Sequence, residues 1–346
     1  MGDTTLKLTR IVLAMVALMM VAGLAYVSQQ VEGTSADMVG AAQKLVDNLS
    51  PEQKSKALIA FDDKERFNWN FIPLQDGKRS TRKGLPLEDM NGDQKKAALA
   101  LLRTGTSEHG GATAETVMSL EAILREQEKG GTNVRNPEWY FFSIFGTPSK
   151  TGSWGWRVEG HHLSLNFTLE GAQIVSTTPH FYGANPAEIK SGAKKGVRPL
   201  EPTEQLAFEL FKSLDEEQAK TAYRDKAFGE PGQKTIKPNV GEPVGLPAAK
   251  MTAAQKETLT KLLKAYTDRM RPDVGAVEFK QATAQLDKVH FAFTGAAENG
   301  KGHTYRIHGP TILIEFLNMQ ADSAGNPANH IHSAWRHVAG DFGKGK

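Results

Sequence analysis

Two short segments of the chain carry the residues best suited to chemistry, and both are built around histidine. They read EGHH at 159–162 and NHIH at 329–332, and the ten histidines of the chain include none before His109. Neutral imidazole is the commonest metal ligand in proteins. In an extended strand, alternate residues project from one face, so His330 and His332 would lie about 6–7 Å apart along the backbone. That spacing is suited to chelating one ion.

The two segments together predict a mononuclear metal site. Its candidate ligands are His161, His162, His330 and His332, and its candidate ions are divalent zinc, copper or iron. A three-histidine site with an open position lowers the pKa of bound water, as zinc does, or binds dioxygen with copper or iron. The candidate catalytic carboxylates, as a fourth ligand or a general base, are Glu159 and Glu315. The alternative is that these histidines hydrogen-bond the backbone or a substrate in a polar core.

Residues beside the two segments are candidates for binding a substrate. They are Arg157, Asn329, Trp335 and Arg336. An arginine guanidinium binds carboxylate or phosphate through two parallel hydrogen bonds, and aromatic rings often line a cleft. The predicted partner is therefore a small polar or anionic ligand. The alternative for the aromatic side chain is a place in the hydrophobic core.

The overall composition excludes several classes of protein. The chain has 346 residues, of which 39% are hydrophobic and 23% charged, and this balance is sufficient to bury a core. Its 42 basic and 39 acidic residues leave a net charge of +3 with no long basic block, so nucleic acid is not an expected partner. The absence of cysteine excludes disulfides, thiolate catalysis, iron–sulfur clusters and cysteine zinc sites. Any metal must be held by histidine, carboxylate or water.

The N-terminus has the pattern of an export signal. Residues 11–27 form an uncharged apolar run that follows Lys7 and Arg10. Secretory signals have this order, and the run is also just long enough for a membrane anchor. Residues 1–33 are therefore predicted to be a cleaved signal peptide or an uncleaved signal anchor, followed by a linker and lead-in over 34–49. The remainder is predicted to be periplasmic or extracellular, with membrane contact only through the N-terminal segment.

Four helix starts share one capping signature, in which Ser50, Asn91, Asp215 and Thr252 each precede a glutamine by three residues. This is the capping box, which satisfies two backbone N–H groups at a helix N-terminus. These starts predict helices over about 51–61, 92–104, 215–225 and 253–270. Apolar spacing and a Gly-Gly end predict two more helices, near 112–129 and 203–213.

Two strand-rich blocks, at about 139–183 and 289–337, alternate with the helices and resemble each other. Residues 157–167 align without gaps on 306–316, with arginine, glycine, aliphatic residues and phenylalanine at matching offsets. The match favours an internal duplication of a unit made of helices followed by strands. The alternative is convergence of two β-hairpins on similar patterning.

Longer strings around the histidines resemble one protein family. FGTPS at 145–149, WGWR with EGHHLSLNF at 154–167, and NHIHS at 329–333 followed by Trp-Arg are similar to the bacterial family DUF3500, a domain of unknown function. The resemblance covers about 50–343 and implies a grouping without an activity. The family usually has an acid after the terminal Trp-Arg and a glutamine before the Gly-Pro turn. Here these positions are His337 and His308, so the histidines of the two segments are the better ligand candidates.

The predicted fold is α+β, with antiparallel sheet strands from the two blocks packed against helical hairpins. It forms one domain over 50–343, with halves at 50–200 and 201–343. The leading functional hypothesis is an extracytoplasmic metal-dependent enzyme, either a hydrolase or an oxidoreductase. The alternatives are a periplasmic protein that binds a small ligand without catalysis, and a scaffold whose histidines serve only the core.

Overall fold

A computed structural model describes residues 33–344 of the chain. Eight helices lie in this part of the chain. The first, α1, comprises helical residues 33–47. The others are α2 (Pro51–Ala57), α3 (Gly92–Gly105), α4 (Glu108–Gln127), α5 (Glu201–Lys212), α6 (Glu216–Ala222), α7 (Ala253–Thr267) and α8 (Pro272–Thr283).

The strands form one large sheet and one small hairpin. They are β1 (Leu58–Ile59), β2 (Gln75–Asp76), β3 (Arg79–Ser80), β4 (Leu85–Pro86), β5 (Phe141–Phe145), β6 (Ser153–Gly160), β7 (Leu163–Glu170), β8 (Gln173–Ser176), β9 (His180–Ala184), β10 (Leu246–Pro247), β11 (His290–Gly295), β12 (His303–His308), β13 (Ile312–Gln320) and β14 (His330–His337). The 12-stranded sheet has the order β1-β5-β6-β7-β9-β14-β13-β12-β11-β10, with β4 on β5 and β8 on β7, and β2 pairs with β3 separately. Among the strands of the described residues, only β1 and β5 pair in parallel, so the predicted α+β class with an antiparallel sheet is confirmed.

The sheet is continuous through both halves of the chain because β9 pairs with β14. The register runs from Ile331 opposite Ala184 to Trp335 opposite His180. On either side of this junction the strands follow in the same succession, β7-β6-β5 in one direction and β13-β12-β11 in the other. This mirrored order agrees with the aligned blocks of the sequence, while a duplication as its origin stays a prediction.

One face of the sheet carries the main hydrophobic core. Alternate residues of each strand enter it, as Leu163, Leu165 and Phe167 do in β7, because side chains alternate across a strand. The helices supply the facing residues, including Leu101 of α3 and Leu262 of α7. At ~25 cal/mol per Å² of apolar area removed from water, this burial is the largest stabilising contribution to the fold.

The opposite face of the sheet is polar and is covered by loops. Buried arginine and glutamate side chains on the strands form ion pairs with the covering segments, in the pairs Arg157–Glu65, Arg82–Glu159 and Arg336–Asp341. A smaller hydrophobic cluster, mostly aromatic, also lies here and consists of Trp69, Phe71, Phe181, Ala334 and Phe342. The chain therefore buries both faces of its sheet, one by hydrophobic packing and one mainly by paired charges.

The four predicted capping boxes are all present and are linked in pairs. Gln53 and Gln94 exchange hydrogen bonds between their amides, at 3.0 and 2.8 Å. Gln218 and Gln255 do the same, at 3.0 and 2.7 Å. In each pair both amides also donate to a backbone carbonyl, so the two glutamines join the N-termini of neighbouring helices. This glutamine clamp, as we call each pair, occurs once in each half.

Two helices were not foreseen as helices. Most of the predicted linker and lead-in, residues 34–49, belongs to the helix over 33–47, and Met38, Ala42 and Leu45 are buried in the main core. The eighth helix, α8, begins at a proline in its first turn, and its buried residues include Asp273, Gly275 and Glu278. A helix that buries polar residues lacks the apolar period by which helices are recognised.

The predicted export segment, residues 11–27, lies outside the described residues. Among residues 33–344 we find no helix with both the length and the apolar character needed to cross a membrane.

The glutamine clamps make a prediction about stability. Replacing Gln94 by methionine should lower the free energy of unfolding by about 1–3 kcal/mol, because the carbonyl of Asn48 and the amide of Gln53 lose a buried partner. Gln255→Met should lower the free energy of unfolding by a similar amount, since the amide of Gln255 donates to the carbonyl of Ser213 and to the amide oxygen of Gln218. Urea denaturation measures both. Lys96→Met, at an exposed position on α3, is the control and should stay within about 0.5 kcal/mol of wild type. Equal stability of Gln94→Met and the control would contradict the prediction.

His180, at the centre of the sheet, makes a second prediction. Burial, together with the charge of Arg269, lowers the pKa of His180 to about 3. The unfolded chain takes up a proton near pH 6.5, but the folded chain does so only near pH 3, so folding stability is lost as the pH falls between these values. The loss is up to about 1.4 kcal/mol per pH unit.

His180→Gln should therefore flatten the decline of unfolding free energy between pH 6 and pH 4, relative to wild type. Urea denaturation at several pH values measures the slope. His109→Gln, an exposed position on α4, is the matched control and should leave the slope unchanged. If both variants decline as steeply as wild type, His180 is not the source of the acid sensitivity.

Candidate functional site

The first histidine segment forms the turn between β6 and β7. His161 and His162 occupy the two turn positions between Gly160 and Leu163, which pair with each other. His162 has a φ of 62°, in the left-handed region that costs a residue with a β carbon about 1–2 kcal/mol. Two backbone hydrogen bonds hold it there, since its N–H donates to Phe71 (2.9 Å) and its carbonyl accepts from Gly183 (2.7 Å). A strained residue held in place by its surroundings is typical of functional positions.

The second histidine segment begins β14. His330 and His332 lie on one face of this strand, as their spacing predicts. His332 is opposite Gly183 of β9. A β carbon at that glycine would lie 3.0 Å from the His162 ring and 2.8 Å from the carbonyl of Ile331. The glycine therefore leaves the space in which the His162 ring reaches the two histidines of β14.

The three imidazoles converge on one point although 170 residues separate His162 from His332 in the chain. The Nε2 atom of His162 lies 2.9 Å from Nε2 of His330 and 3.0 Å from Nε2 of His332. One ligand nitrogen from each of the three residues lies within 4.8 Å of the others, and this group can hold a metal ion. Two nitrogens bound tetrahedrally at ~2.0–2.1 Å would be about 3.3 Å apart, close to the spacing found.

For three neutral rings, no placement of the protons satisfies all of these contacts with one proton to each contact. Nδ1 of His332 is 2.6 Å from a carboxylate oxygen of Glu230, so it must donate a proton there, which leaves Nε2 of the neutral ring as a bare acceptor. The single Nε2 proton that His162 can carry would then have to serve both neighbours. A cation at the meeting point satisfies all three lone pairs at once.

The electrostatics of the site favour neutral imidazoles. Burial lowers the pKa of His162 well below its ordinary value, with smaller contributions from His161 and His330. Burial and the neighbouring His332 lower the pKa of His330 to about 3. Both rings are therefore unprotonated near neutral pH, and metal binding would not have to displace a proton from them. His162 and His332 are buried and His330 is half-buried.

His161, the fourth predicted ligand, lies beside the cluster rather than in it. Its ring stacks on that of His162 with centroids 3.8 Å apart, while its Nδ1 pairs with the carboxylate of Glu121. Burial lowers the pKa of His161, although the charge of Glu121 opposes this. Next to it, Arg135 forms two hydrogen bonds to Glu128 at 2.7 and 2.9 Å. The structure thus brings together three of the four predicted ligands and places the fourth in contact with one of them.

The two predicted catalytic carboxylates lie on the same polar face of the sheet as His330 and His332, but outside the group of three imidazoles. Glu159 pairs with Arg82 and accepts hydrogen bonds from the backbone of Asn70 and from Ser164. Glu315 pairs with Arg306 at 3.0 Å, and burial raises its pKa against the opposing charge of that arginine. Both side chains are committed to buried pairs, and the geometry does not bring them to the three imidazoles.

The predicted substrate-binding residues are also part of the scaffold. Arg157 is buried and binds Glu65 at 2.6 Å, and Arg336 is buried and binds Asp341 at 2.6 Å. Trp335 is in the main core and donates to Glu278 at 3.2 Å. Asn329 joins two loops, because its side-chain amide donates to the backbone carbonyl of Glu188 at 3.0 Å and to the carboxylate of Asp322 at 2.7 Å. None of the four faces the three imidazoles in these contacts.

Two residues important to the site escape recognition in the sequence. Glu230 lies in an irregular connection about one hundred residues before its partner His332, and no motif marks it. Gly183 is one of 33 glycines in the chain, and only the pairing of β9 with β14 gives it its role. In both cases the signal is a tertiary contact and not a local pattern.

The fold and the site together define an α+β protein that carries a three-histidine cluster, largely buried, at the ends of the central strands of a continuous sheet. Residues 32–344 match the family described as "Protein of unknown function (DUF3500)", and the chain belongs to that family. The resemblance noted in the sequence is thereby confirmed over nearly the whole chain. No curated protein and no solved structure matches it.

Proposed function

We propose that this protein is a metal-dependent enzyme with a mononuclear centre held by His162, His330 and His332. The observation that carries the proposal is the convergence of three Nε2 atoms, two of them 2.9 and 3.0 Å from the third. Catalytic zinc sites have three protein ligands and one open position, whereas structural zinc sites are closed by four. The three-histidine set has the composition of a catalytic site.

The carboxylate of Glu230 supports the proposal. A ligating histidine usually donates its second ring N–H to a carboxylate or carbonyl, which fixes its orientation and raises its basicity. The contact of 2.6 Å between Nδ1 of His332 and Glu230 has this form. The side chain of Glu230 is 44% exposed, so its carboxylate lies on the side of the site that solvent reaches.

The chemistry follows from the ion. A zinc ion in this donor set would lower the pKa of a bound water and so supply a hydroxide for hydrolysis. Copper or iron in the same set would bind dioxygen, and the protein would then be an oxidoreductase. The substrate would be a small polar or anionic molecule that reaches the ion from the side of His330, which is the half-buried ligand. The apolar run at 11–27 is the basis for proposing that the enzyme acts outside the cytoplasm.

Burial of the cluster favours a second candidate function, in which the metal ion is purely structural. His162 and His332 are 3% and 7% exposed, so access to an ion would be narrow. The cluster joins the β6–β7 turn to β14, and through Glu230 it also holds the long connection that precedes β10. A metal in this role would add stability without turnover.

Metal content tests the proposal directly. Wild-type protein, purified without chelators, should contain about one equivalent of zinc, copper or iron per chain by elemental analysis. The double variant His330→Ala/His332→Ala should contain almost none, because two of three ligands are lost. The matched control is His290→Ala/His308→Ala, since these two histidines are opposite each other on neighbouring strands of the same sheet. A wild type that neither contains nor takes up any of the three metals refutes the proposed centre.

The metal-loaded protein then separates the two candidates. An enzyme should hydrolyse chromogenic esters or phosphoesters, or consume dioxygen in the presence of a reductant, and the double variant should not. A purely structural metal ion should raise the melting temperature of the protein and support no turnover. Retained turnover in the double variant would exclude the cluster as the catalytic centre.

The role of Glu230 gives a further prediction. Glu230→Gln should weaken metal binding by about 10–100-fold, because an amide orients His332 less firmly and does not raise its basicity. Competition with a chromogenic chelator measures the affinity. Glu242→Gln, at an exposed acid on the same connection, is the control and should bind like wild type. Equal affinities for the two variants would show that Glu230 does not support the ligand.

A further inference from the structure

The mirrored order of the sheet gives the three-histidine cluster a counterpart position in the other half. The alignment of 157–167 on 306–316 sets His162 opposite Thr311. The backbone agrees, because the carbonyl of His162 accepts from Gly183 at 2.7 Å and that of Thr311 accepts from Val338 at 3.0 Å. Each turn thus receives a backbone hydrogen bond from further along the chain, from β9 in the first half and from the residue after β14 in the second.

The strand pairings extend this correspondence to the other ligands. Leu163 is opposite Tyr182 in the first half, and its counterpart Ile312 is opposite His337 in the second. Thr177 precedes Tyr182 by as many residues as His332 precedes His337, so Thr177 corresponds to His332. By the same count, Val175 corresponds to His330. The counterparts of the three histidines are therefore Thr311, Thr177 and Val175.

These three counterparts line a cavity of about 260 Å³. The cavity is enclosed by the second half's β13 turn, by the segment that follows β14 and by α8, with an apolar wall that includes Val274 and Val277. Ligand pockets usually measure ~300–1,000 Å³, so this one suits a compact molecule.

One end of the cavity is polar and acidic. Glu278 lines it together with His337 and Thr177. Its carboxylate accepts hydrogen bonds from Thr177 Oγ1 and His337 Nε2, both at 2.9 Å, and from Trp335 Nε1 at 3.2 Å. Burial would raise the pKa of Glu278, but the charge of His337 and these hydrogen bonds outweigh it and hold the pKa below its usual value. A carboxylate has about four lone-pair positions, so the three donors leave room for one more.

We propose that this cavity is a second ligand site, which binds a small organic amine with a compact apolar body. The apolar wall would cover the body of the ligand, and its amine would donate to the remaining lone pair of Glu278. An apolar pocket with a few convergent polar groups is the usual form of a small-molecule site. A carboxylate-bearing ligand of the same shape is excluded by repulsion from Glu278. The site is independent of the proposed metal centre.

The probes are benzylamine and benzoate, which share a ring and differ in the sign of their charge. Titration calorimetry near pH 8, above the ordinary pKa of imidazole, should show that benzylamine binds at least about tenfold more tightly than benzoate. Ala339→Trp should abolish benzylamine binding, because Ala339 is an exposed lining residue and the indole would fill the cavity. Ala254→Trp, exposed in the first turn of α7, is the matched control and should bind like wild type.

Glu278→Gln should weaken the binding of benzylamine at least about fivefold, since the carboxylate that would accept from the amine is removed. The variant should bind benzoate no more weakly than wild type does. Because Glu278 is buried, the binding data for Glu278→Gln are interpreted only if the variant still unfolds in a cooperative melting transition. If it does not, the binding of benzylamine by Ala339→Trp decides whether the cavity is the site. Equal affinity for benzylamine and benzoate, failure of benzylamine to bind at millimolar concentration, or unchanged binding by Ala339→Trp would each overturn the proposal.

Discussion

The pairing of β9 with β14 is the interaction on which the rest of this structure depends. It joins the two halves into one sheet, and its register sets Gly183 opposite His332. A slip of one residue would turn His332 to the other face, because the side-chain period of a strand is two. The His162 ring would then meet the wrong side chains. One antiparallel register therefore fixes both the continuity of the core and the meeting of the three imidazoles.

The polar face of the sheet explains why so many charged residues near the histidines resembled a site. Arg157, Glu159, Glu315 and Arg336 alternate with core residues along their strands, and each is buried in an ion pair. A buried pair adds little net stability, but loss of one partner leaves an uncompensated charge and costs about 3–5 kcal/mol. The pairs of Arg157, Glu159 and Arg336 hold the covering loops to the sheet, whereas Glu315 pairs with Arg306 on the neighbouring strand β12. Those loops in turn shape the site, since Phe71 and Glu230 both contact His332.

The helices with capping boxes were readable from sequence because their signals are local. Ser50 and Gln53 are three residues apart, and the hydrogen bonds between them form within the helix that they begin. The eighth helix, by contrast, buries Asp273 and Glu278, whose partners are distant in the chain. Its polar residues hide the apolar period. The linking of the glutamines into clamps was also not readable, because Gln53 and Gln94 are 41 residues apart.

The sequence by itself determined the α+β class, four helix starts, the family, and the face that His330 shares with His332. These depend on the geometry of single strands and helix turns, which is the same in every protein. Only the tertiary structure decided that His162 joins them while His161 turns to Glu121, and that Glu159 and Glu315 stay in ion pairs. The reason is that two adjacent turn residues point in different directions set by their φ and ψ angles. Which of them faces β14 then depends on contacts with segments far away in the chain, such as the carbonyl of Phe71 and the space left by Gly183.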